Sequence, residues 1–495
     1  MLNYKLIAKI LGSLLWLEAL LMTVALATSL LYQEAGSNQD DILPFTITIC
    51  FTTMVGFIAR YYGQPKTEVM NRHEAYLLVS LTWIVFTIFG SLPFLISGLI
   101  PSITDAFFET MSGFTTTGST VVENIDEFPV GLKLWRSMTQ WIGGLGIAFF
   151  TIAILPGIIS GGGVRVFSAE ATGPLRSKMH PKLSTNAKMI ISMYLVLTIA
   201  CTLSFWWGGM TVFDAVNYAM SILATGGFST HQDSLSSYNS AFIDYVSVLF
   251  MFLAGVNFTM LYVATIKRKT MNLLKDAEFR FYSVTIIIAT LIIAVTLMIG
   301  TPQYDFFTAI RNSLFQVVSF MTTTGVFNDN AYDWPRISWL ILVVLMFIGG
   351  CSGSTSGGLK SVRAVMVFKL VSNEFKKMLH PKAVLPLKIN GNPVTSSQQL
   401  TLLVFIVLYL ALCVVTYCVL MLFDHDWINT IDAITISLSS ASNAGPALGS
   451  PIGNTTTWAG LSDASKWCCS FLMLMGRLEI FSVLILFSPS FWRGN

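Results

Sequence analysis

The chain has 495 residues, of which 54% are hydrophobic and only 11% charged. Soluble domains carry about 25% charged residues, so this chain lacks the polar groups to cover a water-facing surface and belongs in a bilayer. The net charge of +3 is small, and its lysines and arginines cluster between apolar runs, which excludes a basic nucleic-acid-binding surface.

Ten apolar runs approach the ~20 residues a membrane span needs. They cover 6–32, 43–62, 75–99, 134–156, 186–208, 241–266, 281–300, 337–365, 399–423 and 467–489. The first follows Lys5 and Lys9, is too long for a signal-peptide core and lacks a small-residue cleavage site, so it reads as a retained span. With the N-terminus inside, strict alternation puts most of the 29 lysines and arginines on the cytoplasmic side; the outer side takes Lys133, Arg136, Arg311, Arg336 and Lys466. The seven cysteines lie in or beside apolar runs without paired spacing, and the five histidines show no metal-ligand spacing.

Between spans 3 and 4, 5 and 6, 7 and 8, and 9 and 10 the chain repeats one phrase. It runs from Asp105 to Gly118, Asp214 to Gly227, Asn312 to Gly325 and Asp432 to Gly445. In each copy the opening residue stands thirteen positions before the glycine and a serine six before it: Ser112, Ser221, Ser319 and Ser439. The predicted fold is an all-α polytopic membrane protein: ten transmembrane helices, as one leading helix pair plus four helix–pore-loop–helix repeats around a central pore. The units divide at 1–70, 71–160, 161–270, 271–390 and 391–495. Asp105 to Thr115 makes about 16 Å of helix, half a bilayer, so each segment enters and returns. The aspartates are expected to cap these half-helices, whose negative C-terminal ends then favour a cation. Beyond the helix come TTTG, ATGG, TTTG and SNAG, where glycine permits the positive φ that aligns carbonyls.

Two features depart from the repeat. Cys351–Lys360 places Gly353, Gly357 and Gly358 among serines inside span 8, which reads either as a broken helix or as a kinked span packed by small residues. The matching positions near Gly143, Gly255 and Gly476 look helical, so the break is expected in unit three alone. Arg477 lies mid-span at an insertion cost of roughly 2.5–3.5 kcal/mol. It is either half of an ion pair with a neighbouring helix or a charge facing the pore. Two inside loops share a phrase, Lys178–Lys182 and Lys377–Lys382, which suggests a docking site above a pseudo-two-fold axis. No GxGxxG unit or P-loop is present, so no nucleotide site is expected in this chain. Spans without paired catalytic carboxylates or a Ser–His constellation point away from an enzyme.

This arrangement resembles the Trk/Ktr/HKT superfamily of potassium-translocating subunits, the Trk branch above all, over nearly the whole chain. The resemblance implies a potassium filter with K+ as the transported ion, built on Gly118, Gly227, Gly325 and Gly445. It implies ion-facing carbonyls on Thr116, Thr117, Thr225, Gly226, Thr323, Thr324, Asn443 and Ala444. In the family, glycine at all four places accompanies potassium preference. The departure of SNAGP from TTTG makes the fourth strand the expected irregular quarter. The resemblance further implies a gate formed by the loop 351–360, with Gly353, Gly357, Gly358 and Lys360, beside Arg477. It implies a homodimer in the bacterial inner membrane, with filter loops facing outside and a TrkA-like cytoplasmic nucleotide-binding ring as partner. The alternative is a cation symporter with alternating access.

Overall fold

The structure, a computed structural model, describes residues 2–32, 41–65, 70–146, 183–300, 304–449, 453 and 456–493. In hydrocarbon every backbone N–H and C=O must be satisfied within its own segment, so the apolar runs fold as helices. α1 (Tyr4–Tyr32) and α2 (Ile42–Tyr62) form the leading pair. A Cβ on Gly12 would meet the Arg60 amide nitrogen at 2.9 Å, so bare backbone is what lets the two helices lie this close.

Four units follow, each a long helix, a short helix, an irregular strand and a second helix. Unit one comprises α3 (Arg72–Ile96), α4 (Ile103–Phe114) and α5 (Val130–Leu145). Unit two comprises α6 (Leu183–Trp207), α7 (Val212–Ala224), α8 (Ala241–Ala254) and α9 (Phe258–Thr265), with α10 (Thr270–Lys275) behind it. Unit three comprises α11 (Ala277–Gly300), α12 (Phe306–Met321), α13 (Arg336–Ile348) and α14 (Ser361–Leu379). Unit four comprises α15 (Ser396–Phe423), α16 (Thr430–Ser442), α17 (Asp463–Arg477) and α18 (Phe481–Leu484). Apolar side chains such as Ile287, Ile288 and Leu291 on α11 are more than half exposed, as lipid-facing residues should be.

Among the described residues six helices are long and apolar enough to cross a membrane: α1, α2, α3, α6, α11 and α15. Two bent pairs, α8 with α9 at 106° and α17 with α18 at 109°, bring the possible spans to eight. The expected spans 241–266 and 467–489 are therefore not continuous helices, and the break in unit three is not local. Asn257 starts a new helix by accepting from the Thr259 and Met260 amides, while Glu479 and Ile480 turn the chain at φ 54° and 31°. In unit one α5 stops at Leu145 with Gly146 at φ 82°, and the rest of span 134–156 lies outside the described residues, as does the Lys178–Lys182 phrase.

Three further expectations change. The half-helices are capped not by the repeated aspartates but by Ser102, Thr211, Asp305 and Asn429, whose side chains reach the first-turn amides. Asp105, Asp214 and Asp432 sit at the third helical position, where a carboxylate still meets the positive end of the helix dipole. The third copy does not open at Asn312: α12 starts at Phe306, nearly two turns earlier, because Asp305 is the cap. The chain is also not wholly helical. Lys388–Ile389 pairs antiparallel with Asn392–Pro393 across an Asn390–Gly391 turn, both turn residues at positive φ as a two-residue hairpin requires.

Candidate functional site

The four half-helices end in four strands of one geometry. Two residues before each glycine the backbone is left-handed: Thr116 and Thr225 at φ 54°, Thr323 at 56° and Asn443 at 53°. The glycines follow at φ 85°, 85°, 79° and 92° for Gly118, Gly227, Gly325 and Gly445. The residue between them donates its amide to the serine carbonyl: Thr117 to Ser112 at 2.8 Å, Gly226 to Ser221 at 2.9 Å, Thr324 to Ser319 at 2.8 Å and Ala444 to Ser439 at 3.1 Å. The repeated serine thus marks the carbonyl that holds the strand. A β-branched residue in the left-handed region costs of order 1–3 kcal/mol, and three of the four strands carry one, the kind of strain that clusters at functional sites.

The fourth strand is not the irregular quarter. Asn443, at φ 53° and ψ 49°, matches Thr225 at 54° and 46°, because asparagine accepts left-handed backbone more readily than threonine. Its Nδ2 donates to Thr117 Oγ1 at 3.0 Å and to Met473 O at 2.9 Å.

The strands neighbour one another in a closed ring. A Cβ on Gly118 would strike the Gly226 carbonyl oxygen, one on Gly227 the Thr324 oxygen, one on Gly325 the Ala444 oxygen and one on Gly445 the Thr117 oxygen. Glycine is needed at these places twice over, for its φ and for the carbonyl beside it. All twelve predicted strand residues are brought together. The four glycines line one open hollow of about 540 Å³, with Phe228, Pro446 and Trp458. Beside it Arg136 and Glu109, both buried, pair at 2.7 Å, and Arg136 also donates to Ser229 O at 3.2 Å and stacks 4.1 Å from the Phe228 ring centre.

Residues 349–360 form a loop that ties the half-helix ends together. Gly349, Gly353 and Gly358 take φ near 75° and Lys360 takes 80°. The Gly357 amide donates to Thr323 Oγ1 at 2.6 Å, the Gly358 amide to Ser442 O at 2.8 Å, and Thr355 Oγ1 to Leu223 O at 2.9 Å. Lys360 is buried and its Nζ donates to Ser356 O. Arg477 Nη1 donates to Thr355 O at 2.8 Å, and Nη2 to Gly143 O at 2.6 Å and Gly144 O at 3.0 Å. The predicted gate residues therefore converge, and Arg477 bridges the loop to the C-terminal end of α5. Glu479 takes a different partner, Arg363, at 2.5 Å, with the guanidinium 4.0 Å from the Phe405 ring centre. Arg363 is itself buried.

Sequence reasoning missed three supports. Glu278 Oε1 accepts from the Ser352 amide at 2.6 Å and the Val362 amide at 3.0 Å, holding both ends of the loop. Lys466 Nζ meets Asp105 at 2.5 Å, joining unit four to unit one. Gln140 bonds the second strand from unit one. Gln140, an amide inside an expected span, leaves a signal in the sequence; Glu278 among Lys275, Asp276 and Arg280, and Lys466 beside Asp463, do not stand out.

Fold and site together define a mostly helical, multi-pass membrane transport protein. Residues 41–493 match the TrkH family, described as a cation transport protein, and the chain belongs to that family. The Trk system potassium uptake protein TrkH of Vibrio parahaemolyticus is 34% identical, over 99% of this chain and all of the relative. TrkH of Escherichia coli K12 is 32% identical over the same shares, and TrkG of that strain is 31% identical over 98% of this chain and 97% of its own. The crystal structure of the potassium transporter TrkH from Vibrio parahaemolyticus matches with a TM-score of 0.87 at 33% identity, covering 99% of this chain and all of that one.

Proposed function

We propose that this chain takes up potassium across the bacterial cytoplasmic membrane through a gated pore whose filter is the ring of four strands. The closed cyclic order of the four glycines carries this reading. A ring of carbonyls can replace the hydration shell of an alkali ion, and four half-helix C-termini add negative potential behind it. The loop 349–360 and Arg477 form the obstruction, since the loop is bonded across the ends of the half-helices and Arg477 ties it to α5. The N-terminus and the hairpin are cytoplasmic and the glycine hollow faces outside, in keeping with the distribution of positive charge. The membrane subunit forms a homodimer, and a cytoplasmic ring of TrkA-like nucleotide-binding subunits operates the gate. The boundaries 1–70, 71–160, 161–270, 271–390 and 391–495 delimit the leading pair and the four pore units.

A second reading gains from the breaks in the second helices. Carriers with alternating access use discontinuous helices at corresponding positions, and units two, three and four all carry such breaks. Single-channel recording separates the two: discrete openings exclude a carrier. The first test is cation flux into liposomes holding the purified chain, with Gly227→Ser beside wild type. The pore reading expects potassium over sodium preference in wild type and its loss in the variant. Unchanged preference would overturn it.

A further inference from the structure

The four strands are not held by one device. In units one and three the residues three and one before the glycine are threonines whose hydroxyls bond each other: Thr115 with Thr117 at 2.8 Å, Thr322 with Thr324 at 2.7 Å. Unit two has Ala224 and Gly226 at those places and so has no hydroxyl to clasp. Unit four has Ser442 and Ala444, and there Asn443 supplies the support from its own strand.

In unit two the support comes from the neighbouring unit. Gln140 on α5 is fully buried. Its Nε2 donates to Gly226 O at 2.7 Å and its Oε1 accepts from the Phe228 amide at 3.1 Å, so one side chain grips the strand on both sides of Gly227. A Cβ on Gly226 would lie 2.6 Å from Oε1 and 2.8 Å from Nε2. The amide therefore fills the volume that a threonine side chain would take. Gly226, unlike the filter glycines, is not in the left-handed region, so its backbone does not demand glycine. Gln140 demands it.

We propose that Gln140 is a positioning residue for ion discrimination, replacing across the seam between units one and two the hydroxyl clasp of strands one and three. The inference rests on the four-strand filter. Its hydrogen bonds set where the Gly226 carbonyl stands, and an acceptor already engaged by an N–H offers a weaker field to an ion. The ring is then two-fold in its supports: clasped strands alternate with strands braced by a carboxamide, Gln140 for the second and Asn443 for the fourth.

The test uses the full chain in liposomes and reads the ratio of potassium to sodium flux. Gln140→Met keeps the length and removes both hydrogen bonds. It is expected to lower the ratio about tenfold, the effect of losing the bond at the Gly226 carbonyl, the one of the two that the proposal places on an ion-facing group. A second variant, Gln140→Ala with Ala224→Thr and Gly226→Thr, rebuilds the clasp in the vacated space and is expected to restore the wild-type ratio. A wild-type ratio in Gln140→Met overturns the inference, as does a clasp variant no more selective than Gln140→Ala alone. Should Gln140→Met fail to fold, the clasp variant decides: wild-type selectivity supports the proposal and lost selectivity overturns it. Gly227→Ser runs beside them, so that an unchanged ratio there marks failure of the filter reading rather than of the role of Gln140.

Discussion

Arg477 shows how a charge can be kept inside a membrane. Its guanidinium donates to three carbonyls, two at the C-terminal end of α5 and one in the loop of unit three, so the charge is spared the cost of standing unpaired in hydrocarbon. Its position in the span was legible from sequence, because a lone cation in an apolar run stands out. Its partners were not, since they lie 122 to 334 positions away. Two unit charges repel by about 1.7 kcal/mol at 10 Å in a medium of effective dielectric ~20. Arg477→Met is accordingly expected to raise potassium flux about tenfold, while Arg477→Lys, which keeps the charge, leaves it near wild type. Tracer uptake into liposomes measures both. The left-handed threonines tell a related story: TTTG marks the strand through its glycine, yet the residue two earlier bends it as well.

At the scale of elements, the loop 349–360 is held by more than its glycines. Glu278 is the acceptor for an amide at each end, so Glu278→Ala would leave two buried N–H groups without a partner, each costing about 1–3 kcal/mol. The expected outcome is faster amide hydrogen exchange across residues 351–362 and higher basal potassium flux, with exchange in α1 and α2 unchanged. The four half-helices were legible because a repeat of fixed spacing exposes shared constraints. The breaks in the second helices were not, except in unit three. Residues 476–479, where α17 ends, contain no breaker beyond Gly476, and at the turn Glu479 pairs with Arg363 of another unit. Tertiary contacts overrode helix propensity.

In the whole molecule each unit locks to the next. His231 and Asp126 join units two and one at 3.0 Å, Arg311 and Asp244 units three and two at 3.4 Å, and Lys466 and Asp105 units four and one at 2.5 Å. Between units three and four the Gly358–Ser442 bond lies within the loop itself. Orientation is a property of the whole on which charge alone bears. Val384, 91% exposed in the segment before the hairpin, should be reachable only from the cytoplasm. A cysteine placed there in a chain lacking the seven native ones is expected to react with an impermeant maleimide in inside-out vesicles and not in intact cells.

The hairpin turn does more than close two short strands. Asn390 accepts from the Ala277 amide at 2.9 Å and donates to Asp276 at 2.5 Å, seizing the first turn of α11, and Glu278 stands in that same turn. Three consecutive residues, Asp276, Ala277 and Glu278, thus join the hairpin to the loop 349–360. If the loop closes the pore as proposed, a displacement of the hairpin would bear on both anchor bonds at once.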